Sequence, residues 1–136
     1  MNDKPPEPLL DSDAIREIRK GVEEFNSGKF FECHDTLEDV WRGIRGPARN
    51  FLQGLIQVAV GFCHLGNGNR IGAASQLEKA LAKLSLYGDC YAGMELETLR
   101  RGAQSWLERI RSGEELHCTV AGLPKLHFTA NRWMME

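Results

Sequence analysis

The sequence predicts an all-α fold, a compact antiparallel bundle of about five helices. Apolar residues recur at helical spacing in successive stretches that are separated by turns rich in Gly and Asn. One stretch, residues 47–65, is apolar around most of its circumference, which suits the central helix of a bundle. A weak internal repeat of two helical hairpins also relates parts of the chain forty residues apart.

Residues 1–11 carry Pro5, Pro6 and Pro8 and read as a flexible N-terminal arm. Ser12 is the expected N-cap of the first helix, with Asp13 in its first turn. Ile15, Ile18, Val22 and Phe25 form its apolar stripe, and Asn26-Ser27-Gly28 ends it. The second helix spans residues 29–42, with Phe30, Cys33, Leu37, Val40 and Trp41 as its stripe. Residues 43–47 form a loop, and Pro47 suits the first turn of the third helix, where its missing N–H is harmless. In that helix Gly54 and Gly61 disfavour helix by propensity, so close helix packing is their expected use.

Gly66-Asn67-Gly68-Asn69 is the next turn, with Asn69 as N-cap of a fourth helix that buries Ala73, Leu77, Ala80, Leu81 and Leu84. Residues 87–93 look irregular. A fifth helix over residues 94–111 buries Leu96, Leu99, Ala103, Trp106, Leu107 and Ile110. Residues 12–113 thus make the bundle, and residues 114–136 an irregular tail that Leu123, Leu126, Phe128 and Trp133 could dock on or near it. In the repeat, Phe25-Asn26-Ser27-Gly28 answers to Leu65-Gly66-Asn67-Gly68, and Leu37-Glu38 to Leu77-Glu78. Two helical hairpins give this pattern; a solenoid normally needs three or more units.

At 136 residues the chain fits one domain with a real core. A formal charge of -2 gives no electrostatic reason to expect nucleic acid. The longest apolar stretch, residues 51–65, is short for a membrane span and is broken by Gln53, Gln57 and His64. The N-terminal residues lack the order of a signal peptide, so the expected location is cytoplasmic. Cys33, Cys63, Cys90 and Cys118 are too widely spaced for a paired zinc motif and read as reduced thiols.

Two polar groups stand out. On the second helix His34 and Glu38 lie one turn apart on an edge of the apolar stripe, with Glu32, Asp35 and Asp39 further round. On the third helix Gln53, Gln57 and His64 project within about 40° of one another at ~100° per residue, and Arg49 extends the stripe. Polar groups on a buried helix need partners, and the short loop makes the second and third helices antiparallel neighbours. The expectation is a shared polar pocket between them, holding Glu32, His34, Glu38, Arg49, Gln53, Gln57 and His64. His34, Glu38 and His64 are its candidate metal ligands, and a divalent metal is its candidate cofactor.

The run from Gly28 to Trp41, the run from Arg49 to Gln57, His64, and Gly68-Asn69 resemble the signature of a small helical family known as domain of unknown function 309. The resemblance is strong over residues 25–84 and weak over the fifth helix. It implies an all-helical fold and no particular reaction. The family's characteristic polar positions map onto Glu32, His34, Glu38, Arg49, Gln53, Gln57 and His64, and Asp35 stands where the family often has Glu.

Three functions compete. The first is a module that binds a small ligand, peptide or protein, with Trp41, Phe31 and Phe51 as anchors. The second is a metal-dependent hydrolase built on the Glu/His cluster. The third is a structural homo-oligomer, a dimer for preference, held by the third helix and the aromatics Phe128 and Trp133 around a polar network. No nucleophile motif, phosphate loop or dinucleotide fingerprint is present, which ranks the binding module first.

Overall fold

The computed structural model describes residues 4–116 and 122–129. Five α-helices follow one another: α1 (Ser12–Asn26), α2 (Phe30–Gly43), α3 (Pro47–Gly66), α4 (Arg70–Leu84) and α5 (Glu97–Ser112). Each packs on the next, and α3 lies between α2 and α4. The all-α bundle read from the sequence is therefore the fold. Among the described residues no helix is long and apolar enough to cross a membrane.

Local chemistry explains the helix ends. Asp11 caps α1, accepting the Ala14 N–H at 2.8 Å, so Ser12 is the first helical residue and not the expected cap. A carboxylate at this position satisfies an orphan donor and also faces the positive end of the helix. Asn69 does cap α4, through the Gly72 N–H at 2.9 Å.

The internal repeat has a geometric basis. After α1, the Lys29 N–H reaches back to the Glu24 carbonyl at 2.8 Å; after α3, the Asn69 N–H reaches back to the His64 carbonyl at 2.8 Å. Between them Gly28 and Gly68 both take φ +78°, the left-handed conformation that this helix stop requires. The packing within each hairpin repeats as well. A Cβ on Gly21 would lie 2.7 Å from Leu37 Cδ2, and one on Gly61 would lie 2.9 Å from Leu77 Cδ2. Both pairs are related by the same forty-residue offset. Each glycine is where a leucine of the second helix seats against the backbone of the first.

The core runs the length of the bundle. Phe25 meets the rings of Phe30 and Phe62 at centroid distances of 5.2 and 6.4 Å, and Phe62 meets Trp106 at 6.3 Å. Towards the other end of α3, Phe51 packs against Tyr87 and Tyr91 at 5.4 and 4.9 Å. The Tyr87 hydroxyl donates to the Pro47 carbonyl at 2.6 Å, which satisfies a polar atom in an apolar surrounding.

A small sheet stands where the sequence suggested irregular chain and the first turn of the fifth helix. After a 3-10 turn at Ser85–Tyr87, β1 (Cys90–Tyr91) pairs antiparallel with β2 (Met94–Glu95), and β2 pairs with β3 (His127–Phe128). Ala92 and Gly93 make the turn with φ of 52° and 77°, as a two-residue hairpin with a matching twist demands. Met94 and Glu95 are consequently strand, and α5 begins only at Glu97. Strands of two residues are too short to show alternation in a sequence.

Residues near both limits of the described chain are tied to the bundle. The Tyr91 hydroxyl donates to the Pro6 carbonyl at 2.8 Å, and the Ala92 N–H donates to Glu7 Oε1 at 2.8 Å. Asn26 holds Leu126 from both sides, donating to its carbonyl at 2.9 Å and accepting its N–H at 2.8 Å. Trp133 and Cys118 lie outside the described residues.

The repeated contact predicts a reversed sign for a familiar substitution. Glycine to alanine in an exposed helix gains roughly 1 kcal/mol, whereas overpacking a core costs about 1–3 kcal/mol. Gly21→Ala and Gly61→Ala should each lower stability in urea unfolding, and by similar amounts. Stabilisation by either would contradict the packing described.

Candidate functional site

On α2, Phe31, His34, Glu38 and Trp41 follow one another at intervals of three or four residues and so share one face. Phe31 is 61% exposed, an unusual state for an aromatic ring. Its ring lies 6.2 Å from that of His34. His34 Nε2 lies 2.8 Å from Glu38 Oε2, and Nδ1 lies 3.4 Å from Asp35 Oδ1. Glu38 uses its other oxygen to accept from Arg42 Nη2 at 2.8 Å, and Arg42 also reaches Asp39 at 2.9 Å. Arg42 escaped the sequence reading, although its spacing from Glu38 is that of a helix ion pair. Such pairs contribute only about 0.2–0.5 kcal/mol each. Stability alone is a weak reason for the network.

Arg49 ties this face to α3. Its guanidinium lies 3.9 Å from the centre of the Trp41 ring. Its Nη1 donates to the Trp41 and Ile44 carbonyls at 3.0 and 3.1 Å. These carbonyls lie at the C-terminal end of α2, where a cation is favoured by the helix dipole and by acceptors that lack a helical donor. Two atoms nearby on the same pair of helices are buried and have no partner. They are the indole Nε1 of Trp41, a donor, and Oε1 of Gln57, an acceptor.

The other expected site residues are spread along α3. Gln53 is half-buried and lines a cavity of about 390 Å³ with Pro5, Arg49, Leu86 and Tyr87. His64 lies at the start of α4, with Nδ1 3.4 Å from Asn69 Nδ2. Its Cδ2 would be 3.1 Å from a Cβ on Gly72. Glu32 is exposed and borders a cavity of about 260 Å³ beside Phe62, Cys63 and Gly66. Among the described residues no hydrogen bond or ion pair links His34 or Glu38 to Gln53, Gln57 or His64. Nor does any group of three or more His, Cys, Asp or Glu among them come together in a way that could hold a metal ion. His34 and Glu38 are thus joined within α2, Arg49 joins α2 to α3, and Gln53, Gln57 and His64 follow the half-buried strip of α3 without closing on the His34–Glu38 pair.

One expected anchor is corrected. Phe51 is 1% exposed and belongs to the aromatic core. It sits on the far side of α3 from Gln53, two residues or about 200° away. Leu55, Ile56 and Ala59 are likewise buried inside the chain. The apolar surface of α3 that suggested an oligomer is covered by the chain's own helices.

Cys33 lies buried on the opposite edge of α2. Burial pushes its thiol up to about 12; the Glu24 carboxylate adds to the rise, and a hydrogen bond at Phe25 opposes it. Because the unfolded thiol ionises near pH 8.5, its contribution to stability is intact below that pH and is lost as pH rises towards 12. Such a thiol is no nucleophile.

The fold and its polar strip define two repeated helical hairpins with α5 and a small sheet packed against them. Residues 18–76, which cover most of those hairpins, match the family described as "Domain of unknown function (DUF309)", the family that the motif of α2 and α3 resembles. It is also similar to an uncharacterized protein of Aquifex aeolicus (strain VF5), with 26% identity over 93 residues, 68% of this chain and 27% of that one. The chain thus spans about a quarter of the length of the curated relative it matches.

Two outcomes follow from this geometry. Arg49→Ala removes the cation stacked on Trp41 and the one cationic donor to the Trp41 carbonyl among the described residues, and should cost about 1.5–3 kcal/mol in chemical unfolding. Lysine should recover little of this loss, since it cannot both stack on the indole and fork between two carbonyls. A chain keeping Cys33 as its only cysteine should resist a thiol reagent at pH 8 while folded and react once denatured. Rapid labelling of the folded chain would contradict the burial of that thiol.

Proposed function

We propose that this protein is a binding module that takes a polypeptide partner along the outer edge of the α2–α3 hairpin. The observation that carries this reading is the α2 face itself. It combines an exposed aromatic, Phe31, with a half-buried His34–Glu38 pair and an indole N–H that has no acceptor. Gln57, on the neighbouring helix, has an acceptor without a donor. Neither atom is open to solvent in the free chain; on binding, rotations of these two half-buried side chains bring them to a polypeptide backbone, which supplies a carbonyl for Trp41 and an N–H for Gln57, and a partner side chain covers Phe31. Leaving such groups buried and unpaired costs about 1–3 kcal/mol each, which binding would relieve. Similarity to about a quarter of a longer relative also suits a module that works within larger assemblies. The metal-hydrolase reading lacks a third ligand beside His34 and Glu38 among the described residues.

The test is selection of short peptides on the immobilised chain, followed by affinity measurement in solution. Selected peptides should lose about tenfold or more in affinity, 1.4 kcal/mol or above, for Phe31→Ala and for Trp41→Phe, which keeps the ring and removes the N–H. Gln104→Ala, on the exposed side of α5, should leave affinity unchanged. Peptides that bind both variants as tightly as the original chain would sink the proposal.

A further inference from the structure

A second groove lies on the other edge of α2, between the N-terminal arm, the start of α1 and the end of α2. Two adjoining cavities of about 450 and 310 Å³ share Asp11, Ala14, Gly43 and Ile44 in their walls and so form one trough. Its floor is apolar, with Ala14, Val40 and Ile44. Leu9 stands on its rim, wholly exposed.

The repeat shows why the trough is open. Forty residues on, the counterparts of Ala14 and Ile44 are Gly54 and Leu84. There Leu84 closes directly on the glycine, and a Cβ on Gly54 would lie 2.9 Å from Leu84 Cδ2. In the first hairpin α2 stops at Gly43, and Ile44 turns away in an extended conformation with ψ 140°. The space that leucine fills in one hairpin is left empty in the other.

The walls of the trough are acidic. Glu7, Asp11, Asp13, Glu17 and Asp39 line it, against Arg45 alone. Arg45 turns its guanidinium to the Arg42 and Ile44 carbonyls at 3.2 Å. Asp13 and Asp39 are matched by Arg16 and Arg42, and Glu7 by Lys4. Asp11 and Glu17 have no ion pair among the described residues. An apolar floor between Glu17, which has no ion pair, and Asp11, whose carboxylate caps α1 but has no cationic side chain, complements one kind of occupant, an apolar side chain flanked by cations.

We propose that this trough binds a basic polypeptide segment, which sets an apolar side chain over Ala14 and Ile44 and its Lys or Arg residues against Asp11 and Glu17. The site is separate from the face that carries Phe31 and Trp41, and each stands or falls alone.

The test uses the full chain and three fluorescein-labelled peptides of about twelve residues, read by anisotropy. One alternates leucine and lysine, one leucine and glutamate, one serine and lysine. The leucine–lysine peptide should bind saturably, and the other two at least about tenfold more weakly. The double variant Asp11→Asn/Glu17→Gln should weaken the leucine–lysine peptide about tenfold or more. Asparagine caps a helix as well as aspartate does, so an unchanged melting curve is expected alongside. Glu108→Gln/Glu115→Gln, with the same change of charge elsewhere, should bind as the original chain does. Phe31→Ala should also leave this affinity unchanged, which separates the two sites. No saturable binding of the leucine–lysine peptide would overturn the proposal. So would equal binding of the serine–lysine peptide, or equal affinities of the two double variants.

Discussion

Leu37 and Leu77 each press onto a helix that offers no side chain at the point of contact, Gly21 for one and Gly61 for the other. This close approach sets how near the two helices of a hairpin can lie, and much else follows. With α1 and α2 held so closely, α2 buries Cys33, Thr36, Leu37 and Val40 on one side and turns Trp41 towards Arg49 of α3. With α3 and α4 held the same way, Gly54, Val58, Gly61 and Leu65 meet α4, and Gln53, Gln57 and Val60 are left only half-buried. The polar strip is therefore a consequence of core packing. It occupies the part of α3 that neither hairpin contact covers.

The join between α2 and α3 is made differently. Arg49 stacks on Trp41 and donates to the carbonyls at the end of α2, so a charged side chain fixes the angle at which the second hairpin leaves the first. Among the described residues three buried side-chain atoms lack a partner, and two of them, Trp41 Nε1 and Gln57 Oε1, lie on α2 and α3. Most buried polar atoms in folded proteins find a partner, so two orphans on one helix pair ask for an explanation. A donor and an acceptor left open on a face that also exposes Phe31 are better explained by a missing partner than by careless packing.

The legible features and the hidden ones divide by physical range. Helix periodicity, the Gly28 and Gly68 stops and the forty-residue repeat depend on neighbours in sequence, and the number and order of the helices could be read from them. The reason for Gly61 was legible too, since a glycine inside an apolar helix asks for close packing. What could not be read was depth. A helical wheel places Gln53, Gln57 and His64 on one edge of α3, but it cannot say whether that edge faces α2, α4 or the gap between them. A helix apolar almost all round likewise hides which of its faces is outermost, so the sequence alone does not tell that Phe51 is core and no surface anchor. The small sheet was hidden for another reason. Its strands of two residues are held by pairing with a segment more than thirty residues away, a contact that leaves no local pattern.

Comparison of the two hairpins carries the argument one step further. Where they agree, at Gly21 and Gly61, Leu37 and Leu77, Gly28 and Gly68, the shared residue has a packing or backbone role. Where they differ inside the core, one apolar residue replaces another, as Val22 and Phe62 or Cys33 and Ala73 do, and other differences fall on the surface or at a change of partner. Phe31 answers to Ile71, and both are exposed, at 61% and 87%. The helix pair therefore has no structural use for an apolar side chain at this position, yet carries one in each copy. Glu24 answers to His64: one has a buried oxygen without a partner, the other sits against Asn69 in the turn. Ile44 answers to Leu84, the first beside an open trough and the second sealing a helix contact. His34, Glu38 and Trp41 answer to Ala74, Glu78 and Leu81, and among these six only the first hairpin's set combines an imidazole, a carboxylate and an indole on one face. Trp41 has a fold role through Arg49, and Glu38 is matched by Glu78, so the imidazole of His34, where the second copy has Ala74, is the group that hairpin packing does not call for.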